Sequence, residues 1–436
     1  GTESSRYSLS LGYTNENGLM IDSFFKRYQG RVTADFDVSN WLTVNSQVNL
    51  RTSQNTDDGG ITRSATEVWS FLPERYPNDP DIYGGFAGRW GTNSDFGIGE
   101  QWFNVMFRRA EILGRDNRDQ VSGAVSADAA LSENFNFTTN FAVDFNTGKD
   151  NYYHGRLYGR NGEARINTNH SLAWQNENYI NYNNTFGGLH NVTGMVGLSW
   201  SQYRWENLEA RNSVFFSDFF RWHNIGAGAA PRPTVSSSDG KSTLNSYFAR
   251  VNYDYDERYL LTVTGRVDGS SKFGPNTKYG FFPSAGVAWN ISSESFYQQS
   301  ALANTISFLK LRASYGLTGN QEIGSYVTQA FLGSANIPLG GSVYTGVYPT
   351  SVGDPDLKWE QTSQLDVGLE MTFWGDRLNV VVDYYQKETT DMLLNVPMPH
   401  STTTGSATQN YGSVENSGWE FMLSALNVQT ETFSWT

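Results

Sequence analysis

Alternation of apolar and polar residues is the feature that most constrains the fold of this chain. From Gln364 to Phe373, positions 365, 367, 369, 371 and 373 are apolar, whereas positions 366, 368, 370 and 372 are Asp, Gly, Glu and Thr. Successive side chains of a β-strand point to opposite faces, so this pattern predicts a strand with one apolar and one polar face. The same pattern recurs in residues 192–201 and 259–268 and along much of the remaining chain.

Two environments favour such strands. In a soluble sandwich the apolar face is the protein core, whereas in an outer-membrane barrel it meets lipid and the polar face lines a wet lumen. Sandwich strands average about five or six residues, and a tilted membrane strand needs about nine to eleven. The alternating stretches here repeatedly reach the longer value, which favours the barrel.

Connections between the predicted strands alternate in length, as in an outer-membrane barrel whose long loops face outside. Short polar turns are expected at residues 38–40, 131–133, 186–189, 254–257 and 374–376, and long loops at about 53–116, 210–244, 319–359 and 395–410. Rings near the short turns suit the boundary between acyl chains and water, although cross-strand packing also explains single rings. These rings belong to Trp41, Tyr253, Tyr255, Tyr259, Phe373 and Trp374.

The pattern predicts an all-β fold, a transmembrane antiparallel barrel with about fifteen strands. They are expected near residues 7–14, 23–37, 41–52, 118–131, 135–146, 166–186, 190–209, 247–255, 259–268, 280–290, 308–317, 361–373, 377–391, 411–426 and 433–435. Helical pieces are expected near 65–71 and 293–302. No composition break divides the chain, so residues 1–436 are interpreted as one barrel domain.

Composition agrees with a water-filled barrel. Only 17% of residues are charged and 15% are aromatic, and no apolar run reaches the length of a membrane helix. The net charge of −13 without a basic stripe argues against nucleic acid, and the absence of Cys excludes disulfides and thiolate chemistry. Residues 1–6 do not resemble a secretory signal, and the last residues look like strand, so we expect an internal fragment of a longer polypeptide.

Several phrases of the sequence closely resemble successive strands of SusC/RagA-type TonB-dependent transporters. The resemblance covers most of the chain and is strongest after residue 246; towards the amino terminus it rests on residues 7–13 (YSLSLGY) and 41–44 (WLTV). The stronger phrases are 249–255 (ARVNYDY), 258–274 (RYLLTVTGRVDGSSKFG), 280–289 (GFFPSAGVAW), 309–321 (LKLRASYGLTGNQ), 354–360 (DPDLKWE), 383–394 (DYYQKETTDMLL) and 412–420 (GSVENSGWE).

The resemblance implies a multi-pass outer-membrane barrel of about twenty-two strands closed by a plug. The chain would supply most of the wall, with the plug, the motif that engages TonB and the closing strands lying elsewhere in the parent protein. Such a transporter imports an oligosaccharide, or alternatively a peptide, under a SusD-like surface lipoprotein lid. Transport is energised through TonB and involves no covalent chemistry, so no enzyme is expected.

Aromatic and basic residues of the long loops are the candidate contacts to the ligand or lid, because rings stack on sugars and anchor protein interfaces. The alternative is that these rings pack the loops against one another. The candidates are Trp69, Tyr76, Tyr83, Trp90, Trp102, Phe219, Arg221, Trp222, Tyr344 and Tyr348. On the strands, the lumen-facing positions are Arg266, Asp268, Lys310, Arg312, Asp366 and Glu370.

Metal and catalytic sites have weaker signatures. Asp57, Asp58, Asp79 and Asp81 could ligate Ca²⁺, although they lack a complete EF-hand loop and polar turns use Asp in any case. The five histidines lack zinc-ligand spacing, and neither a Gly-x-Ser-x-Gly elbow nor a phosphate loop occurs. A surface β adhesin without a transport role and a passive porin are the alternative functions.

Overall fold

The computed structural model describes the chain except residues 3, 21, 57–72, 92–104, 157–160, 231–232, 400–403, 430 and 436. Its main element is one antiparallel sheet of fourteen strands in which each strand pairs with its sequence neighbours. The strands are β1 Ser5–Asn17, β2 Phe24–Ser39, β3 Leu42–Asn55, β4 Ile112–Ala130, β5 Phe135–His154, β6 Glu163–Phe186, β7 His190–Ser213, β8 Thr234–Tyr255, β9 Tyr259–Ser270, β10 Tyr279–Asn290, β11 Ile306–Asn320, β14 Glu360–Phe373, β15 Leu378–Thr390 and β18 Val414–Ala425.

The predicted all-β barrel class is confirmed, and each strand of the main sheet coincides with a predicted one. The prediction at 433–435 differs: β20 (Ser434–Trp435) pairs with β19 (Val428–Gln429) in a separate two-stranded sheet. The sequence reasoning did not find two further hairpins in long connections. They are β12 (Leu332–Leu339) with β13 (Ser342–Pro349), and β16 (Leu393–Pro397) with β17 (Ser406–Asn410).

Helices are short throughout the described residues. They are α1 (Pro80–Tyr83), α2 (Val105–Glu111) and α3 (Ser295–Gln298), with 3₁₀ turns at Gly84–Phe86, Ile225–Ala227, Ile291–Ser293 and Ala301–Asn304. The predicted helix near 293–302 is therefore present as α3 between two 3₁₀ turns, whereas the one near 65–71 falls outside the described residues. Within the described part, no helix is long and apolar enough to cross a membrane.

The four longest connections of the main sheet share one of its ends and the five predicted short turns share the other, as expected. The end with residues 40–41, 131–134, 187–189, 256–258, 291–305 and 374–377 is called the short-turn end. The end with residues 18–23, 56–111, 155–162, 214–233, 271–278, 321–359 and 391–413 is called the long-loop end. The turn after β6 needs positive φ at Gly187 (59°) and Gly188 (73°), a conformation that glycine adopts without steric cost.

Strand register gives the sheet two chemically distinct faces. The paired residues Val263, Ala285, Tyr315 and Leu365 form a row across four strands, and the side chains of Val263, Tyr315 and Leu365 are exposed. We call this side the apolar face. One residue along each strand, a row on the opposite side runs through Thr264, Ser284, Gly316, Gln364 and Lys387, and we call it the polar face. Large apolar side chains exposed in continuous rows are typical of a surface that meets lipid.

Loops at the long-loop end pack against both faces. On the apolar-face side, Phe215 and Trp222 of residues 214–233 are buried against Tyr153 and Ala164, and Tyr153 Oη donates to Asp218 Oδ1 at 2.8 Å. On the polar-face side, Leu357 and Trp359 of residues 321–359 bury the rings of Phe273 and Phe282. These two clusters fix the loops relative to the strands that carry the candidate site.

Candidate functional site on the polar face

Charged side chains on the polar face of β11, β14 and β15 form one network. Arg312 Nε donates to Glu370 Oε1 at 2.9 Å and its Nη2 donates to Asp383 Oδ1 at 2.6 Å. Lys310 Nζ lies 3.6 Å from Glu370 Oε2. Because each cation lies opposite a carboxylate on a neighbouring strand, the network neutralises charge across strand boundaries.

A second charged group lies on the polar face of β9. Arg266 Nε donates to both carboxylate oxygens of Asp268 at 2.8 Å, and Nη2 donates to Ser246 Oγ at 2.9 Å. The Arg266 guanidinium also lies 5.6 Å from the ring centre of Phe248. Asp366 accepts a 3.0 Å hydrogen bond from Gln364 on the same strand. The register thus places the six residues predicted to face the lumen on one side of the sheet, and their contact with an aqueous passage stays a prediction.

The polar face also borders an open cavity of about 550 Å³, lined by residues of β3 to β8 and by Lys272 and Gln321 of two connections. Strands from β3 to β8 can surround one cavity only if the sheet is concave on this side. Small side chains at Ala124, Ala142 and Ala173 leave the space open. Hydrogen-bonding groups around it belong to Asn49, Asp144, Gln175, Ser201, Tyr203 and Ser242.

Polar but mostly uncharged groups decide what the cavity can bind. Asp144 already accepts a 2.8 Å hydrogen bond from Gln120, and Lys272 Nζ donates to the Gln321 carbonyl at 3.3 Å, so the two charged groups have protein partners. The amide nitrogens of Asn49 and Gln175 donate to Ser122 and Glu177 at 3.4 and 2.6 Å, so the amide oxygens, the hydroxyls and one exposed phenol remain for a ligand. Such a surface offers both donors and acceptors to a neutral polar molecule, and the ring of Tyr203 offers a flat apolar surface.

Two aromatic residues on the polar face of β7 were missed by the sequence reasoning. Tyr203 is 46% exposed and lines the cavity. Trp205 follows two residues nearer the long-loop end and lies over Gly240, where an added Cβ would come within 2.5 Å of the indole nitrogen. The sequence pattern could have identified them, because two bulky rings at alternate positions on the polar side of a strand depart from the usual placement of rings on the apolar side.

The loop aromatics of the first long connection contact one another. Tyr76 and Tyr83 rings lie 5.9 Å apart. The indole of Trp90 lies 5.6 Å from the ring of Phe107 and 4.2 Å from the guanidinium of Arg75. Trp69 and Trp102 lie outside the described residues. The three described rings therefore pack within their own connection, and ligand contact by them remains a prediction.

The other candidate loop residues differ in exposure. Trp222 is buried against Tyr153 and Phe215, so its ring packs the loop, whereas Phe219 is 85% exposed. Arg221 is exposed and lines a separate cavity described below. Tyr344 and Tyr348 lie on β13 of the long-loop hairpin and are both exposed. These residues are not brought together in one site.

One of the aspartates proposed as calcium ligands, Asp79, has a local structural role. Asp79 caps α1, since its Oδ1 accepts hydrogen bonds from the backbone N–H groups of Asp81 and Ile82 at 3.1 and 3.3 Å. Asp57 and Asp58 lie outside the described residues. In the described part of the chain, no group of three or more His, Cys, Asp or Glu is arranged to hold a metal ion. Calcium binding stays a prediction.

Comparison with known proteins identifies the class. The sequence profile of the family described as TonB dependent receptor-like, beta-barrel, matches residues 49–436. This chain belongs to that family, whose members are outer-membrane β-barrel proteins. The long-loop end is therefore the extracellular end and the apolar face is the outer surface of the barrel wall.

Individual relatives agree with the family. TonB-dependent receptor P26 of Formosa agariphila is 33% identical over the whole chain, which spans 43% of that protein. TonB-dependent receptor SusC of Bacteroides thetaiotaomicron is 27% identical over 98% of the chain and 44% of its own length. The chain thus spans less than half the length of these curated relatives.

Solved structures show the same fold. The structure titled as the RagAB peptide importer in the 'closed-closed' state superposes with a TM-score of 0.82 at 24% identity, over 100% of this chain and 48% of that one. The ferripyoverdine receptor of the outer membrane of Pseudomonas aeruginosa has a TM-score of 0.57 at 12% identity, over 98% of this chain and 51% of that one.

Proposed function

We propose that this chain is part of the wall of an active outer-membrane transporter that imports oligosaccharides, with peptides as the second candidate class. The cavity on the polar face is the observation that supports the substrate class. Its amides, hydroxyls and one exposed ring match the donors, acceptors and C–H faces of a neutral saccharide. The peptide alternative draws on the fold shared with RagAB, which is described as a peptide importer.

Binding in this cavity depends on the side chains of two neighbouring strands. Gln175 on β6 and Ser201 on β7 are register partners, and Tyr203 follows Ser201 on the same face. A sugar ring lying on the phenol of Tyr203 would direct hydroxyls towards the amide of Gln175 and the hydroxyl of Ser201. Because none of these groups is charged, the ligand would be released again without breaking an ion pair, which suits a transport intermediate.

Energy input is the second part of the proposal. A wide barrel with a wet lumen leaks unless a plug fills it, so import needs work that displaces the plug. We assign the plug and the segment that engages the TonB complex to the rest of the parent protein, since the chain spans less than half of its relatives. A SusD-like surface lipoprotein would close over the extracellular loops, and the step involves no covalent chemistry.

The experiment uses the full-length parent protein in cells that do or do not produce TonB. Uptake of a labelled neutral oligosaccharide and of a labelled peptide is measured for wild type, Tyr203→Ala and Tyr203→Phe, with Trp200→Ala as a control on the apolar face of the same strand. We expect TonB-dependent oligosaccharide uptake. The apparent affinity should be about tenfold weaker for Tyr203→Ala, because the contact between the sugar ring and the phenol is lost, and should change little for the other two variants.

Other outcomes assign a different function. Uptake that is equal with and without TonB would identify a passive porin. Surface binding without uptake would identify an adhesin. TonB-dependent uptake of the peptide alone would replace the oligosaccharide by the second substrate class.

A further inference from the structure

A second cavity, of about 670 Å³, lies at the extracellular end and is rich in arginine. Arg109 of α2, Arg115 of β4 and Arg221 of residues 214–233 line it. Asp22 is the acidic residue among its described lining residues, so three arginines and one aspartate give those residues a net charge of +2. This is opposite in sign to the net charge of −13 of the whole chain.

Two of the three guanidinium groups are available to a ligand. Arg109 is mostly buried, and its Nε lies 3.3 Å from Asp22 Oδ2. Arg115 and Arg221 are exposed, and their guanidinium groups form no hydrogen bond or ion pair with other residues that the structure describes. Their charge is therefore not neutralised within the described part of the chain.

Side-chain direction places the cavity on the outer surface of the wall. Arg115 is separated by an even number of residues along β4 from the exposed Val121 and Val125, so its side chain points to the same apolar face. Thr56, another lining residue, follows the end of β3 at an even spacing from Val48 and Leu50, which also belong to the apolar face. The cavity is thus an extension of the lipid-facing side above the membrane, and it does not open into the lumen.

The height of the cavity follows from the strand register. On the apolar face, the rings of Tyr13 and Tyr28 lie 4.9 Å apart with their planes tilted. Exposed tyrosines on this face are typical of the membrane–water boundary. Tyr28 pairs with Thr52, which pairs with Asp119 of β4. Arg115 is four residues further along β4, about 13 Å along the strand. It therefore lies on the extracellular side of this level of tyrosine rings.

We infer that Arg109, Arg115 and Arg221 form a binding site for the phosphorylated saccharide headgroup of an anionic glycolipid in the outer leaflet. Guanidinium groups bind phosphate through paired, charge-assisted hydrogen bonds. The Asp22 carboxylate holds Arg109 in place and can accept hydrogen bonds from sugar hydroxyls. Acyl chains of the same lipid would lie along the apolar face directly below.

The test uses purified full-length protein in bilayer nanodiscs of phosphatidylcholine with or without a bisphosphorylated glycolipid of the lipid A type. Native mass spectrometry counts the glycolipid molecules that stay bound to wild type, to R115Q/R221Q and to R204Q. Arg204 is a matched control, since it is exposed on the same face but paired with Glu206. We expect retention about tenfold lower for the double variant, because two charge-assisted contacts are lost, and unchanged retention for R204Q.

Three results would overturn the inference. They are unchanged retention by R115Q/R221Q, an equal loss in R204Q, and displacement of the glycolipid by inorganic phosphate or by the deacylated, phosphorylated saccharide at the concentration at which the intact glycolipid competes. The last result would make the cavity a site for soluble anions. The variant R115K/R221K keeps both charges and is expected to retain most of the glycolipid, which separates loss of charge from loss of folding.

Discussion

Arg312 on β11 donates a 2.9 Å hydrogen bond to Glu370 on β14, on the polar face of the wall. One residue earlier on each strand, Leu311 and Leu369 are direct register partners on the apolar face. Adjacent residues of the same two strands thus form an ion pair on one face and a leucine pair on the other. We therefore expect lumenal water and lipid to be separated by the thickness of this single sheet.

That separation predicts opposite effects of arginine at two adjacent positions of β11. Ala313 pairs with Val287 and Val367 on the apolar face, whereas Ser314 pairs with Gly286 and Asp366 on the polar face. In the full-length protein, Ala313→Arg should cost about 2 to 4 kcal/mol near the bilayer midplane. Ser314→Arg should cost little, because water and the Asp366 carboxylate solvate its charge. Urea titration of the protein refolded into lipid vesicles measures both, and equal costs would contradict the assignment of the faces.

Acid sensitivity is predicted at the short-turn end. Glu294, in residues 291–305, accepts hydrogen bonds from Tyr259 Oη at 2.6 Å and from Trp289 Nε1 at 3.1 Å. The bond from Tyr259 is the largest cause that holds the pKa of Glu294 below its usual value of 4.5, and the bond from Trp289 adds to it. A depressed carboxylate pKa stabilises the folded protein above pH 4.5, and this contribution is lost as the pH falls through the folded-state pKa.

Glu294→Gln should accordingly lower the unfolding temperature at neutral pH and flatten its fall at acidic pH. Thermal unfolding of the full-length protein across this pH range checks the prediction. The matched control is Glu257→Gln, since Glu257 lies in the neighbouring short turn and its side chain has no such partners among the described residues. Parallel pH curves for wild type and Glu294→Gln would contradict the assignment.

Filling the lumenal cavity should block transport without unfolding the protein. Ala173 pairs with Tyr203 and lines the cavity, so the ring of Ala173→Phe would occupy ligand space. We expect uptake to fall at least about tenfold, because the ring of the new phenylalanine would exclude the ligand from the space beside Tyr203. Ala249→Phe is the control, since Ala249 is exposed on the apolar face and a ring there meets lipid. Similar uptake by both variants would exclude this cavity from the transport path.

Two aromatic residues of the same loop should differ sharply when truncated. Trp222 is 8% exposed and packs on Tyr153 and Phe215, whereas Phe219 is 85% exposed. Trp222→Ala should cost about 3 kcal/mol of local packing and open residues 214–233 to protease, while Phe219→Ala should not. Limited proteolysis of intact cells that carry the full-length protein measures the difference. Equal cleavage of the two variants would contradict the packing role of Trp222.

The sequence predicted the membrane-crossing part of the strands but missed the extracellular extension of several of them. The strand expected at 247–255 begins at Thr234 as β8, and its added residues are mostly Ser, Thr, Asp and Lys. Above the bilayer both faces of a strand meet water, so the alternation that marks a membrane strand disappears there. The β12–β13 hairpin, in contrast, could have been predicted. Gly340 and Gly341 lie between its strands, both with positive φ, and a Gly-Gly pair is a recognised hairpin turn sequence.

The candidate site was less accessible to sequence reasoning than the fold. The charged residues of the polar face could be predicted because they interrupt an apolar pattern. The cavity could not, since Ala124, Ala142 and Ala173 are ordinary small residues until the curvature of the sheet brings their strands around one space. The arginine cavity likewise joins Arg109, Arg115 and Arg221, which are more than a hundred residues apart at the extremes and meet only through loop packing.

The unequal lengths of the connections at the two ends have a practical consequence for engineering this molecule. An epitope inserted between Gly340 and Gly341, where added side chains meet open space, would be displayed to antibodies on living cells. The same peptide placed between Gly187 and Gly188 would be hidden until the envelope is permeabilised. Immunofluorescence on paired insertions would thus read out the orientation of the whole polypeptide.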